Sequence, residues 1–424
     1  MTSPRPPLRT HPILAPGVRL WEERLTTRGR VVFLATAASA LVGADTGRTQ
    51  VFRLFAVGAA LLVIAWILTR LRRPPSMVEA LVPSRATTLR SFRVAVRVSA
   101  DRPVSDLVLT LPRPIEGSDL LVMTPGETFV SASPGTPAKA VISVLPRKRG
   151  RYLLRGAQVR PVDPFGLVTG RAQRSADQPL IVYPRFYSMD EVPVPIGRTH
   201  QPGGIPLASM TGDSLEFVGT RDYRAGDPVR AIHWRSFARR GRPVVREFQE
   251  EYFTRIAIVL DTFLPRRPSA DALAGFEAGI SVVASIADHF SRSEYIVDIL
   301  AAGPDLYEVS AGRSLASLDT ILDVLACLDP CHDPPFETIG PSLFDKLAAT
   351  TSLAAVLLDW DETRLEFLRR VKTLGVAVWA IVVRDSPTTL PWEAAAGDLD
   401  RVEQIGTAQI EAALRAAQGE APRG

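Results

Sequence analysis

Two uncharged apolar runs stand close together near the start of the chain, V-V-F-L-A-T-A-A-S-A-L-V-G-A at Val31 to Ala44 and L-F-A-V-G-A-A-L-L-V-I-A-W-I-L at Leu54 to Leu68. They constrain the fold more than any other feature, because an apolar run inside lipid must satisfy its own backbone hydrogen bonds, as a helix does. Each run falls short of the roughly 20 residues of a spanning helix. With Thr46, Gly47, Val51 and Phe52 included, and Arg53 snorkelling to an interface, each reaches a marginal span. Together they predict a transmembrane helical hairpin over 29–73. Arg24, Arg28 and Arg30 precede it and Arg70, Arg72 and Arg73 follow it. The positive-inside rule then places both termini on the cytoplasmic face of the inner membrane. Two rival readings stay open. A cleaved leader would use Ala38-Ser39-Ala40, although a long polar stretch precedes it and a second apolar run follows at once. A buried hairpin of a soluble protein is the other.

The remaining composition is that of a folded, multidomain chain. An apolar content of 46% over 424 residues is enough for two to three cores and excludes a disordered protein. The net charge of +5 rests on Arg rather than Lys, which is compatible with anionic lipid, acidic protein surfaces or nucleic acid. Cys327 and Cys331 are the only cysteines, which indicates a reducing compartment. Their C-x-x-x-C spacing, with His332 adjacent, lacks the second ligand pair of a zinc site and reads as ordinary thiols at a helix end.

Organisation along the chain follows from breakers and periodicity. Residues 1–28 are rich in Pro and Arg and read as a cytoplasmic tail. Over 76–188, short β-type runs recur between Pro and Gly: Phe92 to Val98, Leu107 to Leu111, Val141 to Leu145, Tyr152 to Val159 and Leu180 to Tyr183. That spacing predicts an antiparallel β-sandwich-like domain. The Pro and Gly density of 189–210 predicts a linker, with an ordered wrapping loop as the alternative.

The densest stretch is 211–253, where Arg221, Arg224, Arg230, Arg235, Arg239, Arg240, Arg242 and Arg246 are interleaved with Asp213, Glu216, Asp222, Asp227, Glu247, Glu250 and Glu251. Such interleaving predicts an ion-paired, hydrogen-bonded surface, since the planar Arg fork binds carboxylates bidentately. Asp227 is placed to cap a helix beginning at Pro228, and Gly241 to stop it. Arg239 and Arg240 then occupy its last turn, while Ala231, Trp234 and Ala238 share one face. The plain structural reading has that Trp packed inward and those arginines solvated.

The pattern Gly212, Glu216, Phe217, Arg221, Tyr223, Gly226, Asp227, Arg230, Ile232, Trp234, Ala238, Arg239 resembles the signature of the bacterial domain-of-unknown-function-58 family. R-K-R-G-R-Y at Arg147 to Tyr152, D-P-F-G-L at Asp163 to Leu167 and V-Y-P-R at Val182 to Arg185 resemble the segments preceding it. The resemblance implies a partnership with MoxR-type AAA+ ATPases in complex assembly or chaperone-like maturation. The interaction residues expected from the signature are Glu216, Arg221, Tyr223, Asp227, Arg230, Trp234 and Arg239.

After the signature, over 254–418, strands and helices alternate. Arg255 to Asp261, Tyr295 to Ala301, Leu353 to Asp359 and Val376 to Val383 read as strands; Asp271 to Phe290, Leu315 to Leu328 and Glu362 to Thr373 read as helices. This predicts an α/β domain with a parallel sheet covered on both faces, resembling a von Willebrand factor A-like domain. Strand-end acids Asp261 and Asp359 fall where such sheets bind ligands. In domains of that kind a D-x-S-x-S loop holds a divalent cation. Here the matching positions are Asp261, Phe263 and Pro265, so Asp261 is the one candidate metal ligand left and the expectation is no cofactor, Mg²⁺ included.

The expected function is a membrane-anchored cytoplasmic interaction protein. The alternatives are a metal-dependent hydrolase, using Asp261 or an Asp227–His233 acid/base pair, and a nucleic-acid binder using the Arg-rich block with Tyr223, Trp234 and Phe237. The sequence contains no Walker lysine motif, H-E-x-x-H or G-x-S-x-G, and the interspersed acids oppose phosphate binding.

Overall fold

Thr26 opens the first helix, α1 (Thr27–Val42), by accepting a hydrogen bond from Gly29 N at 3.0 Å. The computed structural model describes residues 21, 24–43, 50–112, 121–193, 195, 215–224, 227, 229, 232–250, 255–292, 296–302, 306–311, 315–333, 336, 340–348, 350–391 and 396–417. They fall into two units, one formed by 1–185 with 326–328 and the other by 186–325 with 329–424.

In the first unit, α1 pairs with α2 (Val51–Leu71). Their contact depends on a missing side chain, since a Cβ at Gly58 would lie 2.3 Å from Thr36 Oγ1. The buried hydroxyls are satisfied within their own helices, Thr36 donating to Val32 O at 2.7 Å and Thr69 to Ala65 O at 2.6 Å. The outward faces are apolar and open, with Leu34 57%, Val57 67% and Val63 54% exposed. At 1.5 Å per residue, α2 is about 31 Å long, the thickness of a bilayer core. By length and composition α2 can cross a membrane. The helix Ala270–Ser291 is comparably long and apolar, but most of its residues are buried, and it serves as a core helix.

The strands of this unit are β1 (Met77–Leu81), β2 (Arg85–Thr87), β3 (Phe92–Ser99), β4 (Val104–Thr110), β5 (Leu121–Thr124), β6 (Glu127–Ala132), β7 (Ala138–Pro146), β8 (Gly150–Leu154), β9 (Gln158–Pro161), β10 (Gln173–Arg174) and β11 (Gln178–Tyr183). They form sheets of order β1-β3-β7-β5, β10-β9-β4-β6 and β2-β11-β8, antiparallel except where β2 meets β11. Alternation builds the core: Val94, Val96 and Val98 of β3 turn inward against Leu109, Ile142, Leu154 and Leu180. The single strand predicted over Tyr152 to Val159 is two. The break falls at Gly156, where a Cβ would lie 1.8 Å from Ser175 O and where the backbone N–H is taken by Asp177 Oδ1 at 2.8 Å.

One loop of this fold receives the helix pair. Asp163 is buried and its carboxylate accepts from the N–H groups of Phe165, Leu167 and Val168 at 2.8, 2.7 and 2.6 Å. The loop so shaped presents Leu167 O to Thr26 N at 3.0 Å, while Arg72, just past α2, donates to Val162 O at 2.8 Å. Both ends of the helix pair therefore meet the β-rich fold around one loop.

In the second unit, β12 (Leu215–Asp222) and β13 (Val244–Glu250) form an antiparallel hairpin enclosing α3 (Trp234–Arg240). There follow β14 (Arg255–Asp261), α4 (Ala270–Ser291), β15 (Ile296–Ala302), β16 (Leu306–Ala311), α5 (Leu315–Cys327), α6 (Gly340–Leu347), β17 (Ser352–Leu357), α7 (Glu362–Thr373), β18 (Ala377–Val383), β19 (Arg401–Ile405) and α8 (Thr407–Ala417). The sheet order is β16-β15-β14-β17-β18-β19. β16 runs antiparallel at one edge, so the all-parallel expectation is corrected there; the other five strands are parallel.

Side-chain parity puts helices on both faces of this sheet. Ala257, Val259, Ala355, Leu357 and Ala380 pack with Leu343 and Leu347 of α6 and Leu365 and Leu368 of α7. On the other face α4 approaches closely through Gly279, whose Cβ would lie 3.5 Å from Val356 and 3.7 Å from Leu260. Part of the predicted linker, with Tyr187 just before it, is laid against this unit. Tyr187 N donates to Ser285 Oγ at 3.1 Å, His289 Nδ1 to Met189 O at 2.8 Å, and Ser352 Oγ to Pro195 O at 2.8 Å. Residues 194 and 196–214 lie outside the described residues.

Candidate functional site

The signature hairpin is organised around Asp227. Arg221, near the end of β12, grips its carboxylate with both terminal nitrogens, Nη1 to Oδ2 at 2.7 Å and Nη2 to Oδ1 at 2.8 Å. Arg224 N donates to the same carboxylate at 2.9 Å. The Arg221 hydrogen bonds, reinforced by the Arg224 N–H, lower the Asp227 pKa to about 2. The Asp227 carboxylate thus closes the turn from Arg224, while the helix start predicted at Pro228, which Asp227 was expected to cap, lies outside the described residues.

Helix α3 begins six residues later than predicted, at Trp234, after His233 N has donated to Val244 O at 2.8 Å. It ends at Gly241 in the left-handed conformation (φ 68°), with Arg239 and Arg240 in its last turn. Trp234 does not pack inward: it is 59% exposed, in edge-to-face contact with Phe237. Arg235, Ala238, Arg239 and Arg240 are exposed beside it, as is Tyr223. The hairpin thus rests on the buried pair Val244 and Val245 and turns an aromatic, cationic face outward.

Of the residues expected to interact, Arg221 and Asp227 are joined, and Tyr223, Trp234 and Arg239 are exposed. Glu216 lies in β12 opposite Gln249, and Arg230 lies outside the described residues. His233 is not bonded to Asp227; its Nδ1 lies 2.6 Å from Ser236 Oγ.

A second site lies at the carboxyl ends of the parallel strands, a crevice of about 670 Å³. The strand order reverses between β14 and β17, which is where open α/β sheets form their binding crevice. Asp261, at the end of β14, is fully buried and accepts from Phe263 N at 3.0 Å, Leu358 N at 3.1 Å and Arg364 Nε at 2.6 Å. Arg364 is 6% exposed and also bonds the Asp361 carboxylate and Phe263 O. Burial works against its charge, but Asp261 and Asp361 outweigh this and hold its pKa above the ordinary Arg value.

Asp359 lies past the end of β17. Burial raises its pKa, but Thr389, the Trp360 N–H and Arg384 prevail and hold the carboxyl below its usual range. Sequence reasoning missed Arg364. The available signal was Asp361-x-x-Arg364 at a helix start, which by itself describes a solvated first turn. Cys327 is exposed and Cys331 buried. Among the described residues no group of three or more His, Cys, Asp or Glu is placed to hold a metal ion.

The family model described as "Protein of unknown function DUF58" matches residues 219–384, from the signature hairpin through the end of β18. The chain is 31% identical over 140 residues to "Uncharacterized protein YeaD" of Bacillus subtilis (strain 168), a match spanning 32% of each protein, so less than half of that relative's length is covered. Among solved structures, a CARDB domain from Pyrococcus furiosus is 17% identical over 25% of this chain and 92% of its own, with a TM-score of 0.18. Proximal thread matrix protein 1 of the mussel byssus is 8% identical over 39% of this chain and 46% of its own, with a TM-score of 0.29.

Proposed function

From residues 219–384, which belong to the DUF58 family, we propose that this chain is a membrane-anchored interaction protein whose signature hairpin docks a partner. The partner is a MoxR-type AAA+ ATPase, on the strength of the family resemblance, and the work is complex assembly or chaperone-like maturation. The observation that carries the docking role is Trp234. A Trp held 59% exposed on a short helix that also exposes Arg235 and Arg239 brings together the aromatic and Arg residues in which interface hot spots are enriched.

The anchor is the α1–α2 hairpin in the inner membrane. Its support is the length of α2 and the open apolar faces of both helices. That Thr26 and Arg72 bind the same β-rich fold supports a hairpin with both ends on one side, in keeping with arginines at both ends and a cytoplasmic location. The six-stranded sheet, with its antiparallel edge strand, supports a von Willebrand factor A-like last domain, and the N-terminal sheets support a sandwich-like one.

The test is affinity purification of the detergent-solubilised chain from native membranes with ATP present, read by mass spectrometry. Recovery of an AAA+ ATPase that is lost with Trp234→Ala supports the proposal. Its absence from a folded, membrane-inserted sample refutes it.

A further inference from the structure

A von Willebrand-like sheet implies a divalent cation at the end of its first strand, and the residues present here do not fit one. Phe263 and Pro265 bring no side-chain oxygen to the loop after Asp261. Both oxygens of Asp261 are already engaged, and a guanidinium nitrogen lies 2.6 Å from Oδ2. A metal ion bound to Asp261 would press against a buried positive charge, a like-charge contact in a place where water screens little. The loop is also clamped from outside, with Cys331 N donating to Thr262 O and Leu264 N to Cys331 O, both at 2.8 Å.

We infer that Arg364 is an internal cation that takes the place of the divalent ion. Its guanidinium neutralises Asp261 and ties together the end of β14 through Phe263 O, the loop after β17 through the Leu358 N–H that shares Asp261, and the start of α7 through Asp361. The crevice is therefore assembled by the chain itself, and its shape is independent of metal supply. This inference does not depend on the docking role of the hairpin.

The test uses the full chain in detergent, with Mn²⁺ as the probe. Wild-type protein is expected to unfold at the same temperature with Mn²⁺ or with a chelator, because a ligand of the native state would raise the midpoint. Arg364→Met, which leaves Asp261 buried without its counter-charge, is expected to unfold at a lower temperature than Arg364→Lys, which keeps the charge. Saturable Mn²⁺ binding by the wild type that disappears in Asp261→Asn would overturn the inference. So would an Arg364→Met protein as stable as Arg364→Lys. Should Arg364→Met fail to fold while Arg364→Lys folds, the requirement for the charge is met, and the wild-type Mn²⁺ titration still decides the metal question.

Discussion

Arg221 and Asp227 form a two-bonded fork, 2.7 and 2.8 Å, between the end of β12 and the loop that leads to the exposed helix of Trp234. The fork needs a planar guanidinium, so Lys cannot replace it. Arg221→Lys is therefore expected to expose the Arg224 amide to faster hydrogen exchange and to loosen the loop ahead of Trp234, while the α/β sheet keeps its protection. Unchanged exchange at Arg224 would show that the fork does not order the loop.

Acid should release the same fork. The Asp227 pKa is depressed from 3.8 to about 2, so its contribution is complete above pH 3.8 and is lost as pH falls through about 2. Asp359 and Asp400 are lowered too, so their contributions disappear in the same direction. Exchange protection of the hairpin is expected to stay level from neutral pH to near 4 and then fall. Asp227→Asn should remove that acid dependence from the hairpin.

The helix pair meets through Gly58, and a side chain there collides with Thr36. Gly58→Val should cost about 1–3 kcal/mol, the usual range for overpacking, read as a lowered unfolding midpoint in detergent. Gly58→Ala should fall between Gly58→Val and wild type.

Asp163 offers one carboxylate to three backbone N–H groups of the loop that receives the first helix. Asp163→Ala leaves those donors unpaired at a cost of about 1–3 kcal/mol for each that stays buried. Limited proteolysis should then cut within 163–168, where the wild type resists.

Much of this fold was legible in the sequence where periodicity and caps agree. Arg255–Asp261 and Glu362–Thr373 were read with their observed ends, the first from an unbroken apolar run ending in an acid, the second from the alternation of strands and helices, and Asp361 caps it in the structure. Leu306–Ala311 escaped because an antiparallel edge strand six residues long carries little pattern of its own. The Gly241 stop was legible and the start of α3 was not, because Ile232 and His233 first pair with Val245 and Val244 of β13, a contact that local spacing does not encode. Arg364 was invisible for a stronger form of the same reason. It meets Asp261 across 103 positions, through a crossover that only the folded sheet brings together.

The account stands on Trp234 as a docking residue for an AAA+ ATPase. The most direct measurement titrates the full chain in detergent, wild type and Trp234→Ala, with a purified MoxR-type ATPase and ATP. Trp234 is exposed, so the variant should unfold at the wild-type temperature. The account predicts saturable binding by the wild type, weakened roughly thirtyfold in the variant, the ~2 kcal/mol of an aromatic hot spot. Equal affinity for both proteins, or no binding by a folded wild type, would contradict it.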